Sequence, residues 1–196
     1  MNYLAHAYFS FEDPDILLGN MISDYIKGKK QYTYPLKVQA GIRLHRQIDS
    51  FTDAHAATKE IKKIFVPEVR LYAGAFADVV YDHFLAIGDE KSDNEWYEFT
   101  QRTYLSLEAN AILFPQRFQK MFPHMRSQNW LYNYRFRWGI EKSFEGVARR
   151  AKYLNLHNSC FPLFEANYEA IAEQAAPFLK DVKNFVQLEF TKLKDL

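Results

Sequence analysis

The chain has 196 residues, 48% of them hydrophobic and 25% charged, with a formal net charge of +1. These values exclude a disordered chain and give no global attraction to nucleic acid or membrane, so an acidic partner must be met by a local patch. The length suits one well-buried core, and residues 1–196 are expected to form a single compact domain.

Asp13-Pro14 reads as an N-cap followed by proline at the first helical position, opening a helix through Ile16, Leu17, Met21 and Ile26 that stops at Gly28. Lys29 to Tyr34 is polar and basic. Pro35 opens a second helix running to about His55, and a short third covers Thr58 to Phe65. Pro67 starts a long apolar helix ending near Gly88. Asp93 caps the next, rich in Trp96, Phe99, Tyr104 and Leu107, which reaches Phe114-Pro115. Pro115 and Pro123 bracket a short element, and the remainder from about Gln128 reads as two or three helices interrupted near Asn158 to Pro162. Alternating strands with Asn-Gly or Asp-Gly turns are missing, so the expected fold class is all-α. No apolar run approaches the ~20 residues that span a bilayer. The start, Met1 to His6, lacks the layout of a secretory signal, and the single thiol, Cys160, cannot form an internal disulfide. A cytoplasmic protein is expected.

The informative stretch is Gly41 to Asp53. At about 100° per residue, His45, Asp49 and Asp53 fall on one stripe with Val38 and Ile42, while Arg43, Arg46, Gln47 and Ser50 take the opposite side. The solvated face is therefore the Arg/Gln face, and three ionisable groups lie on the apolar one. The helix opened by Pro67 repeats the pattern: Asp78 and Asp82 share a stripe with Leu71, Ala75 and Leu85, and His83 points about 100° away. Asn20 and Asp24 lie one turn apart on the first helix, and His6 precedes it. Burying unpaired carboxylates costs several kcal/mol each, so a divalent cation or paired histidines must compensate. This mix of oxygen and nitrogen donors suits Mn²⁺, Mg²⁺, Fe²⁺ or Zn²⁺, with the carboxylate excess favouring the harder ions.

Each of these residues also has a structural reading. His6 alone is a packed side chain, and His45 with Asp49 is a common hydrogen-bonded pair; the joint pattern over three helices is what favours a site. His55 suits the negative end of a helix, and His124 and His157 carry no role. Cys160 reads as a small buried residue. The cluster Trp130, Tyr132, Tyr134, Phe136 and Trp138 reads as core, with Arg135 and Arg137 keeping a phosphate- or partner-binding reading open.

Four separated blocks carry a resemblance: Asn2-Tyr3-Leu4-Ala5-His6, Gly19-Asn20-Met21-Ile22-Ser23-Asp24, Ala40 through Asp53, and Asp78-Val79-Val80-Tyr81-Asp82-His83-Phe84-Leu85. In this order they resemble the acyl carrier protein phosphodiesterase family; the second half matches only loosely, around Trp130 to Arg135 and Gly146 to Arg150. The resemblance implies a helical, distorted relative of the HD phosphohydrolases, activated by Mn²⁺, with Mg²⁺ or Fe²⁺ as alternatives. It implies hydrolysis of the phosphodiester between 4'-phosphopantetheine and a serine of acyl carrier protein. The order here is Asp82-His83, not the His-Asp dyad of the HD group.

Metal ligands are expected among His6, Asp24, His45, Asp49, Asp78 and Asp82, with Asn20 and Asp53 supporting them. His6, Asp24 and His83 are the expected proton-handling residues, with His83, or a histidine of the expected ligand set that does not ligate metal, as the acid for the leaving serine oxygen. Lys27, Lys29, Lys30, Arg43 and Arg46 are the expected docking surface for the acidic carrier, with Lys59, Lys62 and Lys63 near in sequence. Two other readings stand beside this one: an HD-like phosphohydrolase acting on nucleotides or another small phosphodiester, and a non-catalytic helical module that binds carrier protein.

Overall fold

In a computed structural model, residues 1–151, 154 and 160–193 are described. His157 and Asn158 lie outside the described residues. Helices join by short connections and no strand occurs among the described residues, as the missing strand patterns require.

The first helix, α1 (Tyr3–Tyr8), is too short for apolar periodicity to announce it. Its one local signal is Asn2, whose side chain accepts from the Tyr3 amide at 3.0 Å. The second, α2 (Pro14–Ile22), starts as expected: the Asp13 carboxylate accepts from the amides of Asp15 and Ile16, both at 3.1 Å. It ends earlier than expected, tightening into a 3₁₀ turn at Ser23–Tyr25, and a further 3₁₀ segment covers Gly28–Thr33. Next comes α3 (Leu36–Ala54), close to the span set by Pro35 and His55.

The crossing of α2 over α3 is unusually tight because two glycines meet there. A Cβ on Gly19 would lie 2.1 Å from the carbonyl oxygen of Val38, and one on Gly41 would lie 2.3 Å from that of Ile16. Backbone therefore touches backbone, which only a residue without a side chain permits. This brings Asn20, next to Gly19, against His45, one turn beyond Gly41.

His55 ends α3 and caps α4 (Ala56–Val69), its Nδ1 accepting from the Ala57 amide at 3.2 Å. Pro67 does not start the next helix. It sits in the last turn of α4, and the break falls at Arg70, whose φ of 46° stops the helix. The central helix, α5 (Ala73–Ile87), is buried on nearly every side, as its apolar composition predicts. Ser92, not Asp93, caps α6 (Asp93–Ala109), exchanging hydrogen bonds with Glu95 in a capping box. Pro123 lies inside α7 (Gln116–Ser127).

Beyond Gln128 the described residues form four helices where two or three were expected: α8 (Trp130–Asn133), α9 (Arg137–Arg150), α10 (Cys160–Ala166) and α11 (Tyr168–Thr191). Within the aromatic cluster, Tyr134 is buried, but Phe136 and Trp138 are exposed and stack on each other. Cys160 is buried, and burial pushes its thiol up to about 12, which makes it inert. Buried apolar side chains from Met1 to Val186 form one continuous cluster. No helix among the described residues is long and apolar enough to cross a membrane.

Candidate metal centre

Three elements converge where α2 crosses α3. From α1 comes His6, and from α3 come His45 and Asp49; their ligand atoms all lie within 4.8 Å of one another. Asp49 is central: Oδ1 lies 3.2 Å from Nε2 of His6, and Oδ2 lies 3.0 Å from Nε2 of His45. The two imidazoles are buried and stack, with centroids 3.9 Å apart and planes 15° from parallel.

Asn20 orients both rings. Its amide nitrogen donates to the His6 carbonyl oxygen at 2.9 Å and to the Ser10 hydroxyl at 3.1 Å, so its Oδ1 is free to accept from Nδ1 of His6 at 2.8 Å. The Asn20 backbone carbonyl accepts from Nδ1 of His45 at 2.7 Å. Both Nδ1 atoms are therefore donors, and both Nε2 atoms aim at Asp49. This is the orientation that holds a metal-ligating imidazole in register.

The electrostatics fit a cation. Burial and the neighbouring charge of His45 pull the His6 imidazole down to about 4, so it is neutral at pH 7. With its proton on Nδ1, the Nε2 lone pair of His6 faces two acceptors, Asp49 Oδ1 and the Met1 carbonyl oxygen, each at 3.2 Å. A cation resolves such a convergence of lone pairs. Burial works against charge on His45 as well, but Asp24 and Asp49 overcome it and raise this imidazole to about 9. A proton on its Nε2 stands where a bound cation would replace it. Burial also opposes the charge on Asp49, and the hydrogen bond from His45 and the Met1 ammonium hold its carboxyl far below the usual range.

The other expected residues have different placements. Asp24 accepts from His45 Nε2 at 3.2 Å, and with 71% of its side chain exposed it faces solvent. Its carboxyl is held low by that hydrogen bond. Asp78 joins the cluster through the Met1 ammonium, which spans Asp78 at 3.0 Å and Asp49 at 3.2 Å. Burial lowers the Met1 amine, yet Asp78 and Asp49 hold it at about 10.

Asp82 has its oxygens occupied: Oδ1 accepts from the Asn2 amide at 3.1 Å and Oδ2 from the Leu4 amide at 2.7 Å, which pins the start of α1 to α5. Its carboxyl is nevertheless pushed up to about 7, since burial outweighs the Met1 ammonium and the amides. Asp53 turns to solvent and pairs with Lys62 at 2.9 Å, because by then α3 has run past the site. His83 points away from the cluster, as its register on α5 requires: Nδ1 bonds the Tyr134 carbonyl at 2.7 Å and Nε2 the Tyr168 hydroxyl at 3.0 Å. Burial lowers its basicity.

On the outside, Lys27, Lys29, Lys30 and Arg43 are exposed and make no ion pair among the described residues. Arg46 is tied down, donating to Gln31 Oε1 at 2.8 Å and to the Ile26 carbonyl at 3.4 Å.

Residues 1–182 match the family described as "Acyl carrier protein phosphodiesterase". The chain belongs to the acyl carrier protein phosphodiesterase family. A protein of that name from Escherichia coli O6:H1 is 34% identical over 87% of this chain and 90% of its own length. Another, from Photorhabdus laumondii subsp. laumondii, is 29% identical over 92% of this chain and 94% of its own. No solved structure matches the chain. In this family member, the contributions of Met1 to the cluster escaped the sequence reading. The cap residue Asn2, which marks α1 and thereby places Met1 and His6 together, was the signal available.

Proposed function

We propose that this chain hydrolyses the phosphodiester joining 4'-phosphopantetheine to a serine of acyl carrier protein, using a divalent metal, Mn²⁺, held by His6, His45 and Asp49. The observation that carries the metal reading is the convergence of two Nε2 atoms and a carboxylate, with the Nδ1 of each imidazole held by Asn20. Family membership supports the substrate.

When bound, the metal supplies Lewis-acid polarisation of the phosphoryl group and lowers the pKa of water. The chain supplies the rest. Asn20 holds both rings in place. Asp24 presents to solvent the carboxylate oxygen that His45 does not use, and this oxygen takes a proton from the attacking water. The serine oxygen departs on the opposite side of phosphorus and takes its proton from solvent, while Asp24 releases the proton it accepted to bulk water. His83, engaged by Tyr134 and Tyr168, takes no part. Lys27, Lys29, Lys30 and Arg43 form the surface that meets the acidic carrier.

The test is to incubate holo carrier protein with the enzyme and Mn²⁺ and weigh the carrier by mass spectrometry. Loss of the prosthetic group, abolished by a chelator, is expected. Turnover of free nucleotide with the carrier untouched would select a small-molecule phosphohydrolase instead. Binding of carrier without mass loss would select a non-catalytic module.

A further inference from the structure

A cavity of about 470 Å³ opens between the start of α1 and the helices α8 and α9. Its size falls in the range of about 300–1,000 Å³ typical of small-molecule sites. It begins at Asn2 and Tyr3, directly after Met1, whose carbonyl oxygen lies 3.2 Å from His6 Nε2. Tyr3 in turn shares a 2.7 Å hydroxyl hydrogen bond with Tyr25, the neighbour of Asp24. Through Asn2 and Tyr3 the cavity wall is therefore covalently joined to Met1 and hydrogen-bonded to the residue beside Asp24.

Its walls combine three chemistries. Arg149 and Arg150 are exposed and make no ion pair among the described residues, and Arg150 lies close enough to Tyr3 and Tyr25 to act on both hydroxyls. Amide groups come next. Asn133 donates its NH₂ to the Gln128 carbonyl, leaving its own side-chain oxygen open. The Gln128 side-chain oxygen accepts from Trp130, leaving its NH₂ open. An exposed Trp138 supplies an apolar face.

We propose that this cavity receives the linear, amide-bearing arm of the substrate, 4'-phosphopantetheine, with Arg150 toward its phosphate; the proposal rests on the phosphodiesterase reading above. A phosphate monoester or diester meets a free guanidinium at the end nearest the cluster. The arm's two amides match the open oxygen and NH₂ groups along the wall, and its methyl groups match the indole. A flat protein surface would need none of these, and an all-apolar ligand would leave the amides unpaired.

Gly146 gives the test. It lines the cavity, and a Cβ added there meets no heavy atom within 4 Å, so a larger side chain projects into open space without disturbing α9. In Gly146→Leu, kcat/KM on holo carrier protein is expected to fall at least about tenfold, and inhibition by free pantetheine to weaken by at least about tenfold. Its thermal midpoint should be no lower than wild type, because leucine is the better helix former. Arg150→Gln should weaken inhibition by 4'-phosphopantetheine more than inhibition by pantetheine. Unchanged turnover and inhibition in Gly146→Leu overturn the subsite alone. A wild-type protein that leaves holo carrier intact overturns the phosphodiesterase reading, and this occupant with it.

Discussion

His6 lies stacked on His45 with ring centroids 3.9 Å apart, and the pair is locked from behind by one residue, Asn20, which bonds the Nδ1 of His6 through its side chain and that of His45 through its backbone. The two rings therefore move as one unit. Alanine at either histidine is expected to lower metal affinity by at least about 100-fold, since even partners that only orient ligands are worth about 10–100-fold. Asn20→Ala should fall within that smaller range, because His45 keeps its backbone acceptor. Metal content after dialysis against buffered Mn²⁺ measures both. Equal metal retention by wild type and His45→Ala would remove the site.

Asp49 and Asp53 are one helical turn apart and look alike in sequence, yet their surroundings differ. Asp49 lies between both imidazoles, whereas Asp53 reaches Lys62 in solvent. Asp49→Asn should reduce turnover of holo carrier by about 100-fold or more, the effect of removing a group that acts directly in the site. Asp53→Asn should change stability by under about 1 kcal/mol, as for an exposed ion pair, and leave turnover near wild type. A comparable loss in both variants contradicts this assignment.

These two aspartates also show what the sequence could reveal. The stripe of His45, Asp49 and Asp53 marked the correct face of α3, because a period of 3.6 residues is a local property. Where that face stops being covered is a tertiary property: Met1 and His6 reach Asp49, whereas Asp53 meets Lys62 of α4 in solvent. The same limit explains Asp82. Its burial was legible from the apolar helix around it, but its partners are amides of Asn2 and Leu4, some 80 residues away, on a helix of six residues that no periodicity reveals. Proline misled in the second half of α4 and in α7: Pro67 and Pro123 sit inside helices, where surrounding packing outweighs the lost hydrogen bond.

The glycine crossing of α2 and α3 carries the geometry of the site. Gly41→Ala places a Cβ 2.3 Å from the Ile16 carbonyl, a backbone atom that cannot rotate aside. The helices must separate, at a cost of about 1–3 kcal/mol or more. Separation also pulls the Asn20 carbonyl away from His45, so metal affinity should fall along with the unfolding midpoint. Gly146→Ala on α9, where open space awaits the Cβ, is the control and should be neutral or stabilising. Urea denaturation with parallel metal binding decides the matter, and an unperturbed Gly41→Ala protein would refute the crossing's role.

Lys29 and Lys30 stand exposed on the 3₁₀ segment that follows Asp24. Reversing both charges, Lys29→Glu with Lys30→Glu, is expected to raise KM for the carrier by roughly tenfold at low ionic strength, with most of the effect disappearing in high salt. A small phosphodiester such as bis(p-nitrophenyl) phosphate makes no use of the docking face, so its KM should change much less. Equal changes for both substrates would remove these lysines from carrier recognition.

Asp82 sets a pH dependence on the stability of the fold. Its carboxyl, buried among α1 amides near the Met1 ammonium and Tyr134, stands at about 7, against an ordinary aspartate value of 3.8. Between those two values the folded protein keeps a proton that the unfolded chain has released. By linkage, stability then falls as pH rises through this window, by at most about 1.4 kcal/mol per unit, and levels off above pH 7. Asp82→Asn removes the titration while keeping one acceptor oxygen for α1. The stability difference between wild type and Asp82→Asn, measured by urea unfolding of metal-free protein, should therefore shift against wild type from pH 4.5 to pH 7. A difference that stays constant across that range means that Asp82 is ionised throughout and that the α1 amides, not burial, govern its charge.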